Sequence, residues 1–226
     1  TAKMIHGKSI TLVIPCFNEA LGLPHVLEKL PDCIDEVIVV DNNSTDNTAE
    51  IARNFGAKVI FEARKGYGAA YKAGFLAVNS DIVVTLDGDG TYPVEEILLL
   101  VNHLVNNELD FISACRFPLQ NPANMDSVSR FGNWFLTLCA KILFGYGLKD
   151  SQSGMWVFRR EILAKIRLES DGMPLSEEIK IETIKRKLKF KEVHIPYYLR
   201  FGEKKIRKFR DGFHNLFFLI YLRFRK

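Results

Sequence analysis

Short runs of β-branched and aliphatic residues alternate with segments of helical spacing along the first half of the chain. Ser9–Pro15 (SITLVIP), Asp35–Val40 (DEVIVV), Ala57–Phe61 (AKVIF) and Asp81–Leu86 (DIVVTL) read as strands. Between them, Glu19–Leu30 places Leu23, Val26, Leu27 and Leu30 on one helical face, Thr45–Phe55 reads as a helix capped by Ser44, and Gly68–Val78 as a third. Pro93 opens a fourth helix, since its fixed φ suits a first turn, and Leu109–Cys115 closes the series as a strand. Strands and helices alternating through short connections predict parallel βαβ units. Strands that are apolar throughout predict a sheet covered on both faces.

The pattern changes after Arg116. Pro118, Asn121, Pro122 and Asn124 mark a loop, Ser127–Phe144 is a very apolar helix, and Met155–Phe158 a short strand. Leu175–Lys187 reads as a charged helix, Lys191–Tyr198 as a strand, and the basic tail holds the apolar run Leu216–Leu222 near its end. No repeat or low-complexity linker separates these parts. With 226 residues, 47% hydrophobic and 26% charged, the chain has ordinary globular usage, which excludes disordered and fibrous classes. Phe131–Leu148 is the most apolar stretch, but Lys141, Asn133 and three glycines interrupt it, so it does not read as a membrane span.

The net charge of +4 does not point to nucleic acid, but its distribution is informative. Arg200–Lys226 carries +7 and the remainder −3. Basic residues mixed with Phe213, Phe217, Phe218, Ile220 and Tyr221 suit an interface with an anionic membrane, where each adds about 1 kcal/mol. Trp134, Phe135, Leu138 and Ile142 of the middle helix are divided evenly between that reading and ordinary core. Four scattered cysteines (Cys16, Cys33, Cys115, Cys139) show no metal-binding spacing or disulfide framework. Together with an N-terminus that does not read as a signal peptide, they favour the cytoplasm.

Polar groups collect after the strands, where open α/β sheets bind ligands. Pro15-Cys16-Phe17-Asn18-Glu19, Asp41 through Asp46, Arg64 through Gly68 and Asp87-Gly88-Asp89 follow the first four strands in turn. Any one of these could be a turn or cap rich in Asn, Asp and Gly. Four in succession, each charged, point to a site. Asp87 and Asp89 could share Mg²⁺ or Mn²⁺ with a diphosphate, because these ions favour one or two carboxylates plus phosphate oxygens. A calcium loop fails at Tyr92 and Leu98, where Gly and Glu are needed, and a dinucleotide fingerprint fails at Tyr71. A glycine-containing helix start beside Arg64 and Lys65 still suits an anion.

These residues resemble glycosyltransferase family 2, which implies an α/β GT-A type fold: a Rossmann-like, mostly parallel sheet flanked by helices. Arg116, Asp150 through Gly154, Arg159, Glu192-Val193, Pro196 and Arg200 through Lys205 resemble, more narrowly, the polyprenyl-phosphate (dolichol-phosphate) sugar synthases. The resemblance spans roughly Ile10 to Phe213. It implies that Pro15, Phe17, Asn18, Glu19, Asp41, Arg64 and Gly68 line a GDP- or UDP-hexose, with Asp41 facing the base. Asp87 and Asp89 would hold the metal and diphosphate, with Thr91 replacing a usual Gln through its hydroxyl or a water. Arg116, Arg130 and Arg200, with Lys205, would bind the acceptor phosphate, and Asp89, Arg116 and Arg200 would carry catalysis. The sequence departs from the family pattern at Asn42, Thr91 and Lys204.

The implied reaction is inverting transfer of a hexose, mannose or glucose, to a polyprenyl phosphate. The implied location is peripheral, on the cytoplasmic membrane face. Residues 1–212 would be catalytic and 213–226 a membrane-proximal helix. A phosphate acceptor is anionic at pH 7 and needs no strong base. A saccharide hydroxyl would need one, for which Asp150, Glu177 and Glu178 are the candidates. The remaining alternative is a non-catalytic nucleotide- or membrane-binding module.

Overall fold

The computed structural model describes residues 7–203 and 208–225. Seven strands form one sheet: β1 (Ile10–Cys16), β2 (Glu36–Asp41), β3 (Lys58–Phe61), β4 (Ile82–Thr85), β5 (Phe111–Cys115), β6 (Trp156–Arg159) and β7 (Phe190–His194). Their order is β3-β2-β1-β4-β6-β5-β7. All pairings are parallel except those of β6, which runs antiparallel to β4 and β5. The sequence marks the position of β6 but not its direction.

Alternate residues of each strand enter opposite cores. On one face Leu12, Ile14 and Val39 meet α1 (Leu23–Leu27), α2 (Thr48–Asn54) and α4 (Ile97–Asn106). On the other, Val13, Ile38 and Val40 meet α3 (Tyr67–Ala77) and α6 (Leu175–Lys185). A third cluster joins Leu136 and Ala140 of α5 (Ser127–Phe144) to Ile181 and to Leu219 and Leu222 of α7 (Lys208–Phe224).

Two local expectations are corrected. The first helix is confined to five residues, with Pro24 in its first turn. The second starts at Thr48 rather than Thr45, because Ser44 bonds the end of β1 instead of capping the helix. The basic tail does have acidic partners: the Arg225 side chain, 5% exposed, pairs with Glu169, Glu178 and Glu182 at 2.8–3.1 Å. The charged helix α6 carries its charge inside the fold. Glu177, Glu178, Lys180 and Glu182 are all buried on it. Among the described residues no helix is long and apolar enough to cross a membrane.

Candidate active site

The carboxyl ends of β1, β2 and β4 meet in one cleft. Asn18, at φ 55°, cross-links two of them: its N–H donates to Ser44 Oγ and its Oδ1 accepts from Thr45 N–H at 2.7 Å. Asp41 Oδ1 accepts from Ser44 N–H at 3.0 Å. The structure thus brings Pro15, Phe17, Asn18, Glu19 and Asp41 together. Arg64 follows β3 at the same end, where both carboxylate oxygens of Glu62 hold its guanidinium.

Asn42, read as a departure from the family pattern, has a structural reason. Its amide donates to the carbonyls of Glu62 and Arg64 and accepts from Gly66 N–H. A carboxylate could not donate those two bonds. Gly68 meets protein rather than open space: a Cβ there would lie 2.2 Å from the Ser170 carbonyl oxygen. The adjacent Ala69 N–H donates to the Asp171 carbonyl. The loop at 170–172 therefore covers the helix start expected to face an anion.

Asp89 is 2% exposed, and both of its carboxylate oxygens accept hydrogen bonds. Its Oδ1 accepts from the Thr91 N–H (3.0 Å) and hydroxyl (2.6 Å), and Oδ2 accepts from Arg200, which also lies 3.7 Å from Glu19. The Thr91 hydroxyl is thus committed to orienting Asp89. The segment after β7 folds back over this loop, as Tyr198 N–H donates to the Thr91 carbonyl and Phe201 N–H to that of Asp89. Gly90 (φ 76°) permits the approach, since a Cβ would fall 2.6 Å from the Phe201 ring.

Asp87 differs from Asp89: its Oδ1 is buried without a hydrogen-bond partner. Burial, reinforced by the neighbouring Asp89 charge, pushes its carboxyl up to about 7. A bound cation would reverse that shift. One unsatisfied buried carboxylate oxygen beside a second carboxylate fits a divalent ion completed by phosphate oxygens. Among the described residues no cluster of three or more His, Cys, Asp or Glu could hold a metal by itself.

Arg116 sits across from this pair. Its Nε and Nη2 each lie 2.8 Å from the Asp150 carboxylate, and Nη2 also donates to Asn133 Oδ1. Burial alone would raise the Asp150 carboxyl, but the Arg116 guanidinium outweighs it and holds the group well below the usual carboxylate range. A cavity of about 410 Å³ begins at Asp87, Asp89, Arg116 and Arg200. It runs outward between α5 and α7, lined by Phe131, Phe135 and Leu136 on one side and Phe213 and Leu216 on the other. Arg130 does not line it and bonds Ser127 instead. Lys205 lies outside the described residues. Tyr67, Tyr92 and Tyr197 also line the inner end, a role sequence reasoning missed. The adjacency of Tyr92 to the Asp87–Thr91 segment was the available signal.

Asp150, Glu177 and Glu178 are absent from the cavity wall. Asp150 is committed to Arg116, and Glu178 to Arg225 and the N–H groups of Glu169 and Ser170. Glu177 accepts from Gln152, its other oxygen is buried without a partner, and burial raises its carboxyl well above the usual range. The folded protein therefore keeps a Glu177 proton that the unfolded chain loses near pH 4.3. Stability consequently falls as pH rises from there toward the raised value, by up to about 1.4 kcal/mol per pH unit. Glu177→Gln is expected to flatten that decline and raise the melting temperature at pH 7 with turnover unchanged. Thermal unfolding across pH 4–8 and initial rates check it. Lost turnover would restore Glu177 as a base.

The glycosyl transferase family 2 domain matches residues 11–167. The low-salt glycan biosynthesis hexosyltransferase Agl6 of Haloferax volcanii is 32% identical over 219 residues, covering 94% of this chain but 53% of the relative, so this chain spans about half of that protein. A dolichyl-phosphate hexose transferase of the same organism is 35% identical over 206 residues, 90% of this chain and 89% of the relative. Glucosyl-3-phosphoglycerate synthase of Mycobacterium tuberculosis, solved with UDP, superposes with TM-score 0.78 at 22% identity over 96% of this chain and 81% of that one. The same enzyme solved with Mn²⁺, UDP-glucose and phosphoglyceric acid gives TM-score 0.77. The expected GT-A type α/β fold and the polyprenyl-phosphate synthase resemblance are borne out. The domain match, the relatives and the sheet together place this chain in glycosyltransferase family 2.

Proposed function

We propose that the chain moves a hexose from a GDP- or UDP-sugar to a polyprenyl or dolichyl phosphate, with inversion, at a membrane surface. The observation that carries this reading is the cavity: charged at its inner end, apolar where it opens between α5 and α7. An amphiphile with one anionic head and a long hydrocarbon tail matches both ends. The relative named for dolichyl-phosphate hexose transfer supports it.

Asp87 and Asp89 would hold Mg²⁺ or Mn²⁺, which when bound supplies Lewis-acid neutralisation of the departing nucleoside diphosphate. Neighbours solved with Mn²⁺ or Mg²⁺ support that choice. Pro15, Phe17, Asn18, Glu19, Asp41 and Arg64 would hold the nucleotide. Arg116 and Arg200 would take the acceptor phosphate. A phosphate oxygen attacks the anomeric carbon as the sugar–diphosphate bond breaks and the diphosphate leaves with its electron pair. The acceptor is already ionised, so the chain's task is to align the reactants. That suits a cavity wall from which the candidate bases are absent.

Exposed aromatics extend the cavity mouth onto the surface: Phe131, Trp134, Phe213, Phe217 and Phe224 are each 58–78% exposed. Aromatic rings with Arg210 and Arg223 suit the headgroup level of an anionic leaflet. The chain would therefore sit peripherally on the cytoplasmic face, residues 1–212 performing transfer and 213–226 meeting the lipid. Phe131→Glu combined with Phe213→Glu is expected to lower binding to vesicles containing anionic lipid at least tenfold, since each charge must leave the interface. Co-sedimentation checks it; unchanged binding removes this surface.

The function is tested by incubating the chain with Mn²⁺, GDP- and UDP-hexoses, and either a short polyprenyl phosphate or 3-phosphoglycerate. Radiolabelled sugar is expected in the organic phase with the lipid acceptor. Label transferred only to 3-phosphoglycerate, or to neither, would overturn the reading.

A further inference from the structure

Lys180 is fully buried on α6, yet no catalytic or binding step above uses it. Its ammonium donates to three carbonyls of one loop, those of Asp150, Ser151 and Ser153, at 2.8, 2.9 and 3.0 Å. Three donors meet three acceptors, which saturates the group. The other side of the same loop is held by Glu192 of β7. Its two carboxylate oxygens accept separately from the N–H groups of Lys149 (2.7 Å) and Asp150 (3.0 Å). A cation grips the loop's carbonyls and an anion its N–H groups.

The loop so held presents the carboxylate that fixes Arg116. Asp150 offers it three bonds: to Nε, Nη2 and the Arg116 backbone N–H. A buried bidentate pair transmits position, because the fork of the guanidinium must follow the plane of its carboxylate. The arrangement therefore forms one chain of contacts, from Lys180 and Glu192 through the 149–153 backbone and Asp150 to Arg116 at the cavity's inner end.

Resting on the acceptor reading above, we propose that Lys180 and Glu192 are positioning residues for acceptor-phosphate recognition, acting through Asp150 on Arg116. Neither lines the cavity, so neither touches substrate. Donor binding belongs to the ends of β1, β2 and β4, and the clamp's hydrogen bonds run to residues 149–153 and to none of these. The expected signature is accordingly a change in KM for the acceptor and not for the nucleotide sugar.

Glu192 is half-buried, so Glu192→Gln tests the idea with the fold retained. One acceptor oxygen survives and the other becomes an NH₂ facing a backbone N–H. The KM for polyprenyl phosphate is expected to rise on the order of tenfold, as misplacement of an orienting group costs up to about a hundredfold. The KM for the nucleotide sugar and the melting temperature should hold. Lys180→Met should act in the same direction, with a loss of stability as well. Combining Glu192→Gln with Arg116→Lys completes the test, because an effect routed through Arg116 should largely vanish in that background. If Arg116→Lys raises acceptor KM but Glu192→Gln does not, or its effect adds in full to Arg116→Lys, the clamp is overturned and the acceptor reading stands. If Arg116→Lys itself leaves acceptor KM unchanged, the acceptor reading fails and the clamp with it. Equal rises in donor and acceptor KM would reduce both residues to general scaffolding.

Discussion

Asp89→Asn is expected to abolish transfer, lowering turnover about 10³-fold or more while leaving the fold intact. Removing this carboxylate's charge weakens two contacts at once. It takes half of the acidic pair that would bind the cation, and it releases Arg200, whose guanidinium is tied to Asp89 and Glu19. Loss of about 4 kcal/mol of leaving-group stabilisation corresponds to that factor. Asn keeps the side-chain volume and an acceptor for Thr91, so the Asp89–Thr91 turn should persist. Initial rates at saturating donor, beside a melting curve, check the expectation. Turnover within tenfold of wild type would favour the non-catalytic alternative.

Arg116→Ala is expected to be the most destabilising single change, by about 3–5 kcal/mol, because it strands the Asp150 charge in the interior. Asp150 is fully buried and Arg116 is 7% exposed. The sign of the pH dependence follows from the lowered Asp150 value. Its contribution is complete above the unfolded carboxylate range near 3.9 and fades only as the solution becomes strongly acidic. In the Arg116→Ala variant burial is no longer opposed by the guanidinium and raises the same carboxyl, so the penalty should grow as pH rises from 5 to 8 and shrink where Asp150 can take up a proton. Arg116→Ala/Asp150→Ala should recover part of the stability, having removed both charges, but none of the transfer activity. Urea unfolding measures the first and organic-phase product the second. Restored transfer in the double variant would show that Arg116 acts only as a partner for Asp150.

The residues that made the site legible were those whose neighbours lie close in sequence. Asp87 and Asp89 follow a β-branched run, and Asn18 and Asp41 end two others. Strand placement alone brings them to one cleft. Long-range partners left no such trace. Nothing near Arg225 announces that Glu169, Glu178 and Glu182 await it more than 40 residues upstream. For the same reason the reading of Leu175–Lys187 as a charged helix left its burial open: charge patterning shows which residues are polar, not whether a partner allows their burial. Lys180 was hidden in that way, since its acceptors are backbone carbonyls with no side-chain signature. Gly68 failed in the opposite sense. A glycine at a helix start suggested an anion, whereas the structure spends it on the carbonyl of Ser170. The antiparallel β6 was equally silent, because four apolar residues carry no direction.

The most direct measurement is the anomalous signal from crystals soaked with Mn²⁺ and a nucleotide sugar. A single strong peak within ligand distance of both the Asp87 and Asp89 carboxylates, bridging to the donor diphosphate, is the expected result. A diphosphate bound in the cleft with manganese elsewhere, or with none, would contradict the account.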